Sequence, residues 1–324
     1  MSWPDDVEPK KGVVADLYPH TPVLFQNVME WANLKNESIV IDATVGFGGH
    51  AAGLLPLVLP KGQYLGIDKD EAAVVESESR LKQFGDVVKI VNGRFSQMQR
   101  LANQASIKTA DLVLFDLGLS SPQLDDASYG ISLKSTGDLD MRIGMGSGTM
   151  RASDILKYWS RRDLKALFTE HGQPATDRIV DRILRARESG GVKTVEQLRM
   201  LIENVAPRQS DIHPATRVFQ ALRVTVNDEY GELQAGLDQA CELLSPGGRL
   251  IAISFHSGED RIVKQFFQAG ARGCICPPEA PQCICGKNPS LRVLTRRPII
   301  PSRQEMIDNP RSRSAKMRVA EKIK

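Results

Sequence analysis

Over the first 120 residues, short apolar runs alternate with longer amphipathic stretches. Runs rich in β-branched residues at 38–44, 63–68, 87–91 and 111–116 are each bounded by turn residues, as buried parallel strands are. Between them, 50–57, 71–84 and 96–104 read as helices. This alternation predicts an α/β, doubly wound sheet. The pattern stops near residue 123. Residues 129–148 are glycine-rich and irregular, and 153–168, 176–187 and 194–205 carry helical spacing, with Ser153, Thr176 and Thr194 placed as N-caps. The sheet pattern then returns, with a helix over 228–244 ended by Pro246-Gly247-Gly248, a strand over 249–254 and a helix over 260–269. Two closing strands, 291–299 and 316–320, are expected as an antiparallel pair. The predicted plan is a Rossmann-like domain made of 1–124 and 223–324, interrupted by an all-helical insertion over 125–222.

Composition adds limits. The 324 residues are 41% hydrophobic and 25% charged, the balance of a soluble globular protein of one large or two ordinary domains. No apolar run approaches the ~20 residues of a membrane span. The opening MSWPDDVEPKKG is acidic and polar, unlike a signal or transit peptide, so a cytoplasmic location and no membrane partner are expected. Charge is uneven. Residues 1–120 hold 11 Lys/Arg against 15 Asp/Glu, 151–223 hold 14 against 9, and 287–324 hold 11 against 3. A basic middle and tail point to a polyanionic partner, nucleic acid above all.

The candidate chemistry starts at 39–50, IVIDATVGFGGH. An apolar run ends in Asp42 and breaks into a turn at Gly46, Gly48 and Gly49, the way a parallel strand opens into a nucleotide-binding loop. Asp68 ends the next apolar run, about 20 positions on, where an acidic residue holds the ribose hydroxyls of an adenosine cofactor. A nicotinamide dinucleotide and S-adenosylmethionine both fit, since Gly46, Gly48 and Ala51 satisfy the relaxed dinucleotide fingerprint. Asp42 argues for S-adenosylmethionine, because a carboxylate before the loop suits a cationic methionine end and repels a pyrophosphate. His50 at the helix start is also a residue that an anionic group does not require. Against this, Asp42 also suits a simple turn cap.

The fourth strand ends in DLGLSSPQ, residues 116–123, at the strand tip beside the cofactor strand. Enzymes that methylate exocyclic amines of bases carry a short Asp/Asn/Ser-Pro-Pro-aromatic motif there. An aromatic amine is a poor nucleophile, and acceptors aimed at its N–H hydrogens localise its lone pair and orient it in line. Asp116, Ser120, Ser121 and Pro122 are the candidate catalytic set. No aromatic follows Pro122, so the match is partial.

The motifs HTPVL (20–24), DATVGFGGH (42–50), DLGLSSPQLDD (116–126), DLDMR (138–142), HPATRVFQALR (213–223), VNDE (226–229), PGGRL (246–250), SFHS (254–257), EDR (259–261) and NPRSRSAK (309–316) together resemble the ribosomal RNA small subunit methyltransferase H (MraW-type) family, from about residue 20 to 321. The resemblance implies a class I methyltransferase fold and N4-methylation, from S-adenosylmethionine, of one cytidine in the decoding region of 16S rRNA within the small ribosomal subunit. It implies cofactor contacts at Gly48, Gly49, His50, Asp68, Phe95, Asp116 and Gln123. Departures occur at Gly258, where Leu is common, at Gly130-Ile131-Ser132-Leu133 and at Gly172-Gln173-Pro174; none touches the cofactor loop.

Other residues stay open. His213 and His256 each suit a proton acceptor and equally suit a structural tie between insertion and sheet. Arg142, Arg217 and Arg223, with Arg311 and Arg313 in the tail, are candidates for phosphate contacts. Cys274, Cys276, Cys283 and Cys285 suggest zinc in a cytosolic protein, although zinc sites prefer two to four residues between paired ligands and C-x-C sulfurs diverge in a strand; reduced thiols and a redox-labile pair are the alternatives. Monomer and homodimer fit the sequence equally. Two rival functions remain, an NAD-dependent oxidoreductase and a non-catalytic RNA-binding assembly factor that keeps the fold as a scaffold.

Overall fold

The computed structural model describes residues 22–324 apart from 145–149, 207–212, 275, 277–281 and 283. The chain runs through α1 (Phe25–Ala32), β1 (Ile39–Asp42), α2 (Gly49–Val58), β2 (Gln63–Asp68), α3 (Glu71–Leu81), β3 (Val88–Asn92), α4 (Met98–Gln104) and β4 (Ala110–Asp116). It continues through α5 (Ser121–Asp125), α6 (Ala152–Tyr158), α7 (Arg161–Glu170), α8 (Thr176–Glu188), α9 (Val195–Glu203) and α10 (Thr216–Val226). It closes with α11 (Glu229–Leu243), β5 (Leu244–Ser254), α12 (Ser257–Ala271), β6 (Leu291–Val293), α13 (Arg303–Asp308) and β7 (Lys316–Lys322). Two compact units result, one formed by the chain up to Gly118 and from Gly231 on, the other by Leu119–Tyr230. No described helix is long and apolar enough to cross a membrane.

The first unit is a seven-stranded sheet in the order β3-β2-β1-β4-β5-β7-β6. β1 to β5 are parallel, and β7 runs antiparallel between β5 and β6. Both faces are covered, which explains why the strands read as continuous apolar runs. Ile41, Val113 and Ala252 enter the core with α4, α11 and α12. Their neighbours Val40, Leu112 and Ile251 enter the opposite core with α1 and α2. The carboxyl ends of the parallel strands, at Asp42, Asp68, Asn92, Asp116 and Ser254, therefore share one edge.

The second unit is helical, around Leu139, Met141, Ile155, Leu164, Phe168, Ile179, Leu198, Val218 and Leu222. Its bounds differ from the expected 125–222 because Leu119 packs on this core, and Asn227 donates to the Met141 carbonyl (2.8 Å) and accepts from the Ile143 N–H (2.9 Å). These bonds pin the chain at Met141 and Ile143. The single helix expected over 153–168 is two. Trp159 is extended, Ser160 caps α7 by accepting from the Asp163 N–H, and Arg187 donates to the freed carbonyls of Leu156 and Trp159 at 2.7 Å each. The strand expected over 291–299 shrinks to β6 and an isolated bridge from Ile299 to Met317. The Thr295 hydroxyl accepts the Val319 N–H (2.9 Å) in place of a ladder bond. Pro246-Gly247-Gly248, expected to end a helix, lies inside β5.

Candidate active site at the carboxyl edge of the sheet

β1 ends on Asp42, and the chain turns through Gly46 (φ +51°) and Gly48 (φ +84°) before α2 begins at Gly49. A Cβ at either position would have room, so the left-handed backbone is what requires glycine. The loop is tied down by Asp68, whose two oxygens accept from the N–H groups of Gly46 and Asp70, both at 2.9 Å. Burial pushes the Asp68 carboxyl above its ordinary range, with those N–H groups opposing. A carboxylate has about four lone-pair sites, so capacity for ribose hydroxyls remains.

Asp42 is 1% exposed. It accepts from the Tyr64 hydroxyl (2.8 Å) and the Thr44 N–H (3.0 Å). Burial raises its pKa to about 6; the Tyr64 bond, His50 and the Thr44 N–H oppose this and Asp116 adds to it. Tyr64 is itself pushed well above its usual value by burial and by Asp42. Asp42 thus holds the base of the loop together, a role its position in the sequence did not separate from facing a ligand.

His50, in the first turn of α2 and 5% exposed, stacks on Phe25 with ring centres 6.1 Å apart. Its Nε2 lies 3.4 Å from Asp116 Oδ2. Among the described residues, neither ring nitrogen of His50 nor Asp116 Oδ1 has a hydrogen-bond partner. Asp116 is oriented by the Thr44 hydroxyl, which accepts its N–H at 2.6 Å. Phe95 begins the turn Phe95–Gln97 and meets Phe115 edge-on at 5.8 Å. A Cβ at Gly236 would fall 2.9 Å from Phe95, so a glycine on α11 makes room for that ring; nothing in the sequence marked it. Also missed were Thr44, Tyr64 and Phe25, whose signal is their spacing from the loop and strand tips.

Gly46 to His50, Asp68, Phe95 and Asp116 are thus gathered on the edge of one sheet. Ser120, Ser121, Pro122 and Gln123 belong to the second unit. There Ser120 caps α5, accepting the Gln123 N–H (3.3 Å), while Gln123 Oε1 accepts the Ser120 N–H (3.0 Å). His213 is also there, with Nε2 2.8 Å from Glu203. His256 caps α12, and its Nε2 lies 3.2 Å from Glu259.

The arginines separate into two groups. Arg142 forks onto Asp140 at 2.6 and 2.8 Å, Arg223 pairs with Glu229 at 2.8 Å, and Arg217 donates to the Gly172 carbonyl. Arg311 and Arg313 are exposed on the turn Pro310–Ser314. Arg318, read with them as part of one basic tail, is instead buried in β7 against Asp260 (2.6 Å). A cleft of about 380 Å³ opens at this sheet edge between the end of β5 and the start of β7, lined by Phe255, His256, Met306, Arg313 and Lys316 among others.

The chain matches the MraW methylase family over residues 17–323. The chain belongs to that family. Its relatives include proteins named ribosomal RNA small subunit methyltransferase H. That of Thermomicrobium roseum is 46% identical over 306 residues, 94% of each chain. That of Dehalococcoides mccartyi is 44% identical over 308 residues, 94% of this chain and 87% of the relative. That of Geobacter sulfurreducens is 42% identical over 311 residues, 94% of this chain and 99% of the relative. The sheet is accordingly that of a class I methyltransferase. Among the described cysteines, Cys274, Cys276 and Cys285 cluster; Cys283 lies outside the described residues, as do His20 and Thr21.

Proposed function

We propose that the protein uses S-adenosylmethionine to methylate N4 of a cytidine in the decoding region of 16S rRNA, within the small ribosomal subunit. Membership of the family and the names of its relatives support rRNA methylation. The observation that carries the site is the pair at the loop, with His50 and Asp116 presenting buried polar atoms that have no hydrogen-bond partner among the described residues. Buried polar atoms are ordinarily paired, so these fit the edge of a ligand. Asp68, with acceptor capacity to spare, fits ribose hydroxyls, and Phe95 fits the wall of an adenine pocket.

When bound, S-adenosylmethionine supplies an electrophilic methyl group. Asp116 accepts an N–H hydrogen of the cytidine amine, which localises the lone pair and aims it in line at that carbon. The amine would take that methyl group and lose one proton to solvent water. Asp42 adds negative potential beneath the loop, which suits a sulfonium. The resemblance also assigns Gln123 to the cofactor and Ser120, Ser121 and Pro122 to the amine. His256 and His213 are each held beside a carboxylate, and no proton transfer is assigned to them. Arg311 and Arg313, both exposed, are proposed to meet rRNA phosphates; Arg142, Arg217 and Arg223 are held by Asp140, the Gly172 carbonyl and Glu229.

The test is methyl transfer from labelled S-adenosylmethionine to small subunits lacking the modification, followed by nucleoside analysis. N4-methylcytidine that disappears in Asp116→Ala is expected. Label on another nucleoside overturns the assigned atom. Cofactor binding with no label on subunits, free RNA or assembly intermediates favours the scaffold reading.

A further inference from the structure

Cys274, Cys276 and Cys285 lie in the segment joining α12 to β6. Their Sγ atoms all fall within 4.8 Å of one another, and those of Cys274 and Cys285 are 3.7 Å apart. Two thiolates on one tetrahedral zinc ion, each at ~2.3 Å, are separated by ~3.8 Å, whereas a disulfide holds its sulfurs at ~2.0 Å. The spacing fits two ligands of one ion, as it also fits an S–H···S contact, and excludes a disulfide bond. Divergence of C-x-C sulfurs, expected of a strand, does not arise, because neither Cys274 nor Cys276 is in a strand. The Cys276 N–H donates to Cys274 Sγ at 3.4 Å, the kind of outer contact that stabilises a ligating thiolate. Gly286 follows Cys285 with φ +60° and open space around a would-be Cβ, so a left-handed turn leads the chain from the sulfurs toward β6.

Topology gives the cluster its role. β5 ends at the edge that carries Asp116, and α12 runs back from there. β6 starts at Leu291, paired with Lys322, while Arg249 near the start of β5 pairs with Glu321. The connection from α12 thus enters β6 at the amino-terminal edge of the sheet, opposite the loop. Its ends are tied by the Ser290 N–H donating to the Gly270 carbonyl (2.9 Å).

We propose that Cys274, Cys276 and Cys285 bind one thiolate-selected divalent ion, zinc by class, as a structural clasp between α12 and β6. Binding releases the thiol protons to solvent and involves no redox step. The clasp makes β6 docking depend on metal, because a site that forms only in the folded chain adds its binding energy to folding.

The test is metal content of the full chain purified under reducing conditions, for wild type, Cys274→Ser, Cys285→Ser and Cys241→Ser. Cys241 is a control in α11, with its sulfur 3.6 Å from Lys322 Nζ. About one zinc per chain is expected in wild type and in Cys241→Ser, falling at least ~10-fold in the other two. Cobalt(II) added to the stripped wild type should give an intense sulfur-to-metal absorption band, which needs no variant to fold. Wild type that lacks metal and gives no such band overturns the clasp. So does an intact mass showing a disulfide among these cysteines, or metal that survives both Cys274→Ser and Cys285→Ser.

Discussion

His50 Nε2 lies 3.4 Å from Asp116 Oδ2, yet both His50 ring nitrogens and Asp116 Oδ1 are without a hydrogen-bond partner among the described residues. Each such atom costs about 1–3 kcal/mol where water is excluded. Three of them beside a glycine loop support the proposal that His50 and Asp116 meet a ligand. Asp116→Ala is expected to lower kcat for methyl transfer by at least ~100-fold, while the thermal midpoint holds or rises. Single-turnover kinetics with a melting curve on the same preparation checks this. A variant that transfers at the wild-type rate removes Asp116 from the chemistry.

Asp42 links stability to pH. Its pKa is raised to about 6 in the folded chain, chiefly by burial, from an ordinary ~3.9 unfolded. The folded state thus binds the proton more tightly, and this contribution is complete below pH ~4 and lost as pH rises through ~6. At neutral pH the buried carboxylate costs on the order of 3 kcal/mol. Asp42→Asn should raise the melting point at pH 8 and leave it nearly unchanged at pH 4, while S-adenosylmethionine binding weakens. Equal shifts at both pH values contradict the assignment.

Asp68 accepts from two backbone N–H groups, those of Gly46 and Asp70. Asn in its place satisfies one and turns an N–H₂ toward the other. Asp68→Asn is expected to cost about 1–3 kcal/mol of stability and to weaken cofactor binding ~10-fold or more. Calorimetric titration with S-adenosylmethionine reads the second effect, and unchanged affinity removes Asp68 from the ribose site.

Arg313 and Arg318 are five residues apart and opposite in role. Arg313 is exposed and has no hydrogen-bond or ion-pair partner among the described residues. Arg313→Ala should leave stability within ~0.5 kcal/mol and reduce the salt dependence of rRNA binding by about one phosphate contact. Arg318→Met leaves half-buried Asp260 with Lys316, at 3.5 Å, as its remaining ion-pair partner among the described residues. Burial alone would raise Asp260, but Arg318 and Lys316 outweigh it and hold it below its ordinary range. That stabilisation is present above pH ~4 and fades in acid. A loss on the order of 3 kcal/mol is expected at neutral pH, with the salt slope unchanged. Chemical denaturation and binding titrations at several salt concentrations separate the two.

The sequence by itself determined the alternating sheet, the glycine loop, the acidic strand tips and the family, because each leaves a local mark: β-branched runs between turns, glycines at left-handed positions, motifs of unbroken neighbours. What it left open depended on long-range partners. A helix over 153–168 has the right spacing, and only the approach of Arg187, some thirty residues away, lets the chain break at Trp159. Arg318 reads as one more tail charge until β7 sets it against Asp260. Asp42 reads as facing a ligand or capping a turn, and only β2, by delivering the Tyr64 hydroxyl, shows that it also ties the base of the loop. Charge, spacing and propensity are written along the chain, but burial and hydrogen-bond partnership come from packing, and these decided which of the polar residues are engaged within the fold.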